Sequence, residues 1–134
     1  MTALPRRLPA HGSVKDRWLA HHRQSRYEVF LRCRGRCEAE DCTNAATELA
    51  HLFGRRHIIG EPWCSSPALT MGLCKADHQS IDRGLNPDLR ERLQWVGLVR
   101  LCAAETLPIS LLEGRSPEGA ARAIEDALRA RIVG

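Results

Sequence analysis

The sequence predicts an α+β fold. Three observations carry this: helical apolar periodicity in the N-terminal third and twice more after residue 86, two short strand-like segments between them, and cysteines spaced around those segments. At 134 residues the chain is long enough for one compact domain with one core. The first twelve residues, MTALPRRLPAHG, combine prolines, a glycine and arginines and read as a flexible basic arm ahead of a single domain over 13–134.

Between Ser13 and Arg32, Val14, Trp18, Tyr27, Phe30 and Leu31 recur at steps that line one broad helical face, with arginines over much of the rest. Gly35 ends this helix and opens a cysteine loop, CEAEDC, with Cys37 and Cys42. Residues 47–53, TELAHLF, alternate as a strand does, with Leu49, His51 and Phe53 on one face and Ala50 and Leu52 on the other. Glycines, prolines and serines from Gly54 to Pro67 mark a loop, and ALTMGL is a second short strand. A helix from about Lys75 to Arg83 stops at Gly84. Asn86 and Pro87 then cap and start a helix over about 86–104, in which Leu89, Leu93, Val96 and Arg100 keep a helical step and Leu98 and Leu101 widen the apolar face. Ser116 and Pro117 start the last helix, about 116–133, with Ala120, Ile124, Leu128 and Ile132 as its apolar stripe. These two helices close the core; a homodimer is the other use their apolar faces allow.

Composition narrows the function classes. With 43% hydrophobic, 27% charged and only 4% aromatic residues, the chain fits a soluble domain whose core is Leu, Ile, Val and Ala. No apolar run is long enough to span a bilayer, and the first residues lack the apolar middle of a signal peptide, so a cytoplasmic location without membrane contact follows. There, six cysteines argue against a disulfide framework. Charge is uneven. Residues 1–36 hold nine Arg or Lys against two acids, a net +7, while the rest holds eleven against fourteen, a net −3. A basic N-terminal third suits a polyanion such as nucleic acid, and equally a solvated helix face.

The spacing Cys37-x4-Cys42 followed by Cys74 provides three thiolates for one tetrahedral Zn²⁺. Asp77, His78 and the loop residue Cys64 are the rival fourth ligands; Cys33 and Cys102 read as core. His78 and Asp82 lie four residues apart on the helix after Cys74, so a nitrogen and a carboxylate project from one face. Such a pair either holds a divalent ion with open positions or is an ordinary surface ion pair. His51 lies among apolar strand residues, where a histidine is most often a core residue. The Arg55–Arg56 pair that follows offers guanidinium forks suited to phosphate.

A cysteine pair, a strand histidine, a loop, then LC running into a helix with an early histidine resembles the HNH endonuclease family over about residues 30–84. That resemblance implies a ββα-metal core, two strands and a helix around one divalent ion, with a structural zinc site beside it. It makes His51 the general base, His78 a catalytic metal ligand with Asp82 as the second, and Cys37, Cys42, Cys74 and Asp77 the zinc set. It further implies Mg²⁺, Mn²⁺ or Ni²⁺ as the catalytic ion and DNA as the partner, in a bacterial or phage-infected cell. Backbone contacts would come from Arg55 and Arg56 and, on the first helix, Arg23, Arg26, Arg32 and Arg34. His57 is a further ligand or base under this scheme. Against the family pattern, Ala50 stands where many members have a metal ligand, no asparagine lies between 45 and 85, and Asp77 replaces the fourth cysteine. The competing expectations are a non-catalytic nucleic-acid-binding module, with zinc closed by Cys37, Cys42, Cys74 and His78, and a structural subunit that keeps the fold without activity.

Overall fold

The computed structural model describes residues 14–53, 63 and 66–133, and side chains from Arg23 onward. Its order is α1 (Val14–Cys33), β1 (Glu48–His51), β2 (Thr70–Leu73), α2 (Lys75–Asp82), α3 (Pro87–Glu105) and α4 (Pro117–Val133). One-turn 3-10 segments precede β2, at Pro67–Leu69, and α4, at Ile109–Leu112. The fold is therefore α+β, as the sequence predicts. Both strands are shorter than expected, since Ala68 and Leu69 belong to the 3-10 turn and Leu52 and Phe53 lie past the end of β1. No helix among the described residues is long and apolar enough to cross a membrane.

β1 and β2 pair antiparallel, with Glu48 opposite Leu73 and His51 opposite Thr70. Every residue of β2 is buried, because β1 pairs with it, α1 packs on it, and the 3-10 turn that α3 packs against leads into it. Leu52, Phe53, Leu69, Met71, Leu73, Leu98, Leu101 and Ile124 are the largest side chains fully withdrawn from water. Gln94 sits inside α3's buried face because its amide donates to the Leu52 carbonyl, 2.9 Å away. The start signals hold. The Asn86 side chain accepts from the Leu89 amide at 3.2 Å, and Ser116 Oγ accepts from the Gly119 amide at 3.1 Å.

Three details of the expected faces need correction. Among the described side chains of α1, which begin at Arg23 and so leave out Val14 and Trp18, Ser25 and Val29 are buried, whereas Tyr27 and Leu31 are exposed and Phe30 is half-buried. Arg32 shares the face of Ser25 and Val29, and its guanidinium bonds Glu38 and the Pro67 and Thr70 carbonyls there, which leaves Tyr27 and Leu31 on the outer side. Val96 on α3 and Ile132 on α4 are exposed; in α4's last turn it is Arg131, not Ile132, that reaches α3, donating to the Glu105 carbonyl. Cys102 is core, but Cys33 is half-buried.

The tightest approach is at Gly97 on α3. A Cβ there would lie 2.6 Å from a Leu52 methyl and 2.9 Å from the Ala68 carbonyl oxygen. The methyl can move; the carbonyl belongs to the turn that leads into β2 and cannot. Gly97→Ala is therefore expected to lower unfolding free energy by about 1–3 kcal/mol in urea titrations, despite alanine's better helix propensity. An unchanged or raised midpoint would show that this packing is not as tight as described.

Candidate metal centre

The CEAEDC loop folds back on itself. Cys37 N–H donates to Asn44 O (2.9 Å) and Cys42 N–H to Ala39 O (3.1 Å), with Asp41 in the left-handed region at φ 61°. Glu38 anchors the loop. Its amide donates to Gly72 O (2.8 Å), and its carboxylate accepts from the Gly72 amide (2.8 Å) and from both Nε (2.8 Å) and Nη2 (2.7 Å) of Arg32. Arg100 adds a contact at 3.4 Å. The buried side of the loop is thus stapled to β2. Burial and the neighbouring Arg32 lower the Arg100 pKa, and Glu38 works against both.

On the other side, Cys74 is the residue between β2 and α2. It caps the helix, its sulfur accepting from the Asp77 amide at 3.4 Å. The result is a cluster of Cys37, Cys42, Cys74 and Asp77 whose donor atoms all lie within 4.8 Å of one another. Asp77 Oδ2 is 3.1 Å from Cys37 Sγ and 3.2 Å from Cys74 Sγ, and the Cys42 and Cys74 sulfurs are 4.0 Å apart. Zinc–sulfur bonds of about 2.3 Å in a tetrahedron require sulfur–sulfur edges of about 3.8 Å. The donor set therefore fits a tetrahedral divalent ion such as zinc, with three soft sulfurs and one carboxylate. The Asn44 amide donates to Cys74 Sγ at 3.7 Å, a contact that would temper a thiolate's charge.

Burial, and after it Asp77 and Cys42, pushes the Cys37 thiol up to about 12, against backbone amides of Cys74 and Ala39. The Asn44 backbone amide favours the Cys42 thiolate, yet Asp77, burial and Cys74 leave that thiol raised too. Burial opposes the Asp77 charge, but hydrogen bonds from the three thiols lower its pKa. Both shifts favour the protonated thiol at Cys37 and Cys42 beside the Asp77 carboxylate, so a metal ion would have to displace thiol protons there.

His78, the residue after Asp77, lies outside this set. Its Nδ1 is 2.7 Å from Glu48 Oε1 on β1, and its Nε2 is 3.3 Å from Asp82 Oδ2 one turn along α2. The fourth position of the cysteine cluster is therefore Asp77, and the alternative closed by His78 is not the one that forms. The strand residue brought to His78 is Glu48 rather than His51. The two are three positions apart on β1, and strand alternation sends them to opposite faces. His51 is half-buried, with Nε2 shielded from solvent.

The expected nucleic-acid contacts divide. Arg23, Arg26 and Arg34 are exposed, with Arg26 stacked over the Phe30 ring at 4.9 Å. Arg32 is spent inside the fold on Glu38, Pro67 O (2.8 Å) and Thr70 O (2.9 Å). Arg55, Arg56, His57 and Cys64 lie outside the described residues. Compared with family models, curated proteins and solved structures, the chain has no match. Two contributors escaped the sequence reading. Glu38 turns inward to Arg32 and the Gly72 amide, and Glu48, half-buried, turns to His78; no local signal in the sequence marks either acid.

Two outcomes follow for this cluster. The purified chain is expected to carry one zinc, and Cys74→Ala to lose both the ion and cooperative unfolding, since that residue joins ion, strand and helix. Retention of one zinc by Cys74→Ala, measured by atomic absorption, would remove the assignment. The second concerns alkali. The Cys37 thiol ionises at the ordinary 9.0 when unfolded but at about 12 in the folded, metal-free chain. Its contribution to stability is whole below pH 9 and drains away as pH rises from 9 toward 12. Chelator-treated protein should therefore melt at a lower temperature at pH 10 than at pH 8, and zinc should shrink the difference. Equal melting temperatures for the chelated chain would contradict the buried-thiol account.

Proposed function

We propose that this chain is a metal-dependent endonuclease of the HNH type acting on DNA, with a structural zinc at Cys37, Cys42, Cys74 and Asp77. The catalytic cation, Mg²⁺, Mn²⁺ or Ni²⁺, would be held by His78 and Asp82. The observation that supports it above a closed zinc module is the division of labour on α2. Asp77 faces the thiols, so His78 and Asp82 remain as a separate nitrogen–oxygen pair. The antiparallel pair β1–β2 running through Cys74 into α2 is consistent with a ββα-metal core.

A phosphodiester resists hydrolysis because its anionic oxygens repel nucleophiles and its alkoxide leaves poorly. A divalent ion there would supply positive charge beside the non-bridging and leaving oxygens. His78 and Asp82 hold it with positions left for water and phosphate, Asp82 being largely exposed. The family resemblance gives His51 the role of proton acceptor for the attacking water, but His51 lies across β1 from Glu48 and His78 with Nε2 shielded, so the cation ligands carry the proposal and the assay below decides the base. Arg23 and Arg26 on α1 and Arg34 just past its end would contact backbone phosphates, giving affinity without sequence selection. Arg32 has no part in that surface.

A plasmid-nicking assay in Mg²⁺, Mn²⁺ or Ni²⁺ tests the proposal. The parent chain should convert supercoiled DNA to nicked or linear forms and His78→Ala should not, while both keep one zinc. His51→Ala decides the base: a loss of roughly 10²–10⁴-fold in rate would assign it to His51. Equal cutting by His51→Ala would take that residue out of the reaction. No cutting by the parent with any of the three cations, or loss of zinc from His78→Ala, would overturn the enzyme reading in favour of a zinc-bearing binding module.

A further inference from the structure

We infer that Glu48 is a positioning residue for His78: its carboxylate holds the imidazole by Nδ1 and so presents Nε2, beside Asp82, to a divalent cation. This rests on the reading of His78 and Asp82 as the cation's ligands. The contact that carries it is short, 2.7 Å from Nδ1 to Glu48 Oε1, in the range of charge-assisted hydrogen bonds. A carboxylate only accepts, so the shared proton belongs to Nδ1. Nε2, 3.3 Å from Asp82 Oδ2, is then the nitrogen left to face a cation, which would displace any proton Nε2 shares with Asp82.

The surroundings favour this over an incidental surface pair. Glu48 is on β1 opposite Leu73, the residue just before Cys74, so the bond ties the sheet to the first turn of α2 from outside the helix. His78 itself keeps 21% of its side-chain exposure and Glu48 37%, against 66% for Asp82. The Nδ1 side is the sheltered one and the Nε2 side opens to solvent through Asp82, the order needed if the outer position receives an ion. A carboxylate behind a ligating imidazole fixes its orientation and raises its basicity, and loss of such a partner weakens metal binding by about 10–100-fold.

The test uses the full, zinc-loaded chain with Mn²⁺ as the probe in titration calorimetry. The parent should bind one Mn²⁺ beyond its zinc, His78→Ala none, and Glu48→Ala with affinity lower by about 10–100-fold. Glu48→Gln, which keeps an acceptor for the Nδ1 proton without the charge, should fall between parent and Glu48→Ala. Long-range ¹⁵N–¹H imidazole spectra provide a readout that a merely structural ion pair would leave alone. His78 should carry its proton on Nδ1 in the parent and exchange to the other tautomer in Glu48→Ala. Mn²⁺ affinity within about twofold of the parent in Glu48→Ala, with the Nδ1 tautomer kept, overturns the inference while leaving His78 a ligand. Failure of the parent to bind Mn²⁺, or undiminished binding by His78→Ala, instead overturns the underlying reading. Should Glu48→Ala lose its zinc, Glu48→Gln decides the matter, and parental Mn²⁺ affinity in it counts against the inference.

Discussion

One covalent adjacency organises the site: β2 ends at Leu73, Cys74 follows, and α2 begins at Lys75. Because Cys74 is both a cluster donor and the helix cap, the helix phase is set where the cluster is made. One turn on, Asp77 necessarily faces back toward the sulfurs. The next residue lies about 100° further round the helix, which turns His78 away from them and toward β1. Asp82, four residues later, lies on the same side as His78. A cluster that took His78 instead would have to rotate the helix and give up both the Cys74 cap and the Glu48 contact.

Glu38 links this local arrangement to the core. Held by the Gly72 amide, by Arg32 and by Arg100, it is a carboxylate with nearly all its acceptor capacity used, which is the condition for burying one. The loop bearing Cys37 and Cys42 is therefore positioned from its inner side by β2 and α1. The thiols need only close the outer side. Not every arginine of the N-terminal segment is therefore surface charge: Arg32 turns inward as a structural residue, whereas Arg23 and Arg26 on α1 and Arg34 just past it are exposed.

Much of this was legible from residue order because the signals are local. Asn86 and Ser116 cap the helices they precede, Gly84 stops α2 in the left-handed region, and Cys37, Cys42, Cys74 and Asp77 gather as their spacing suggests. What was not legible depends on contacts between distant segments. The inner face of α1 is not legible in its apolar pattern, because the half-buried Arg32 pairs with an acid beyond the helix and with the turn before β2. Glu48 was passed over for the same reason: only the pairing of β1 with β2 brings it to His78. The choice among Asp77, His78 and Cys64 as the fourth donor could not be made from spacing, since Asp77 and His78 are both one turn from Cys74.

The proposed function requires two cation positions fed by adjacent residues of α2, Asp77 toward the sulfurs and His78 toward nitrogen–oxygen ligation with Asp82. Anomalous diffraction from a crystal of the zinc-loaded chain soaked in Mn²⁺, collected on both sides of the zinc edge, examines this directly. The account predicts a zinc peak about 2.3 Å from the sulfurs of Cys37, Cys42 and Cys74 with Asp77 as fourth donor, and a separate manganese peak at His78 Nε2 and Asp82. A single peak, or a zinc peak that draws His78 into the sulfur set in place of Asp77, would contradict it.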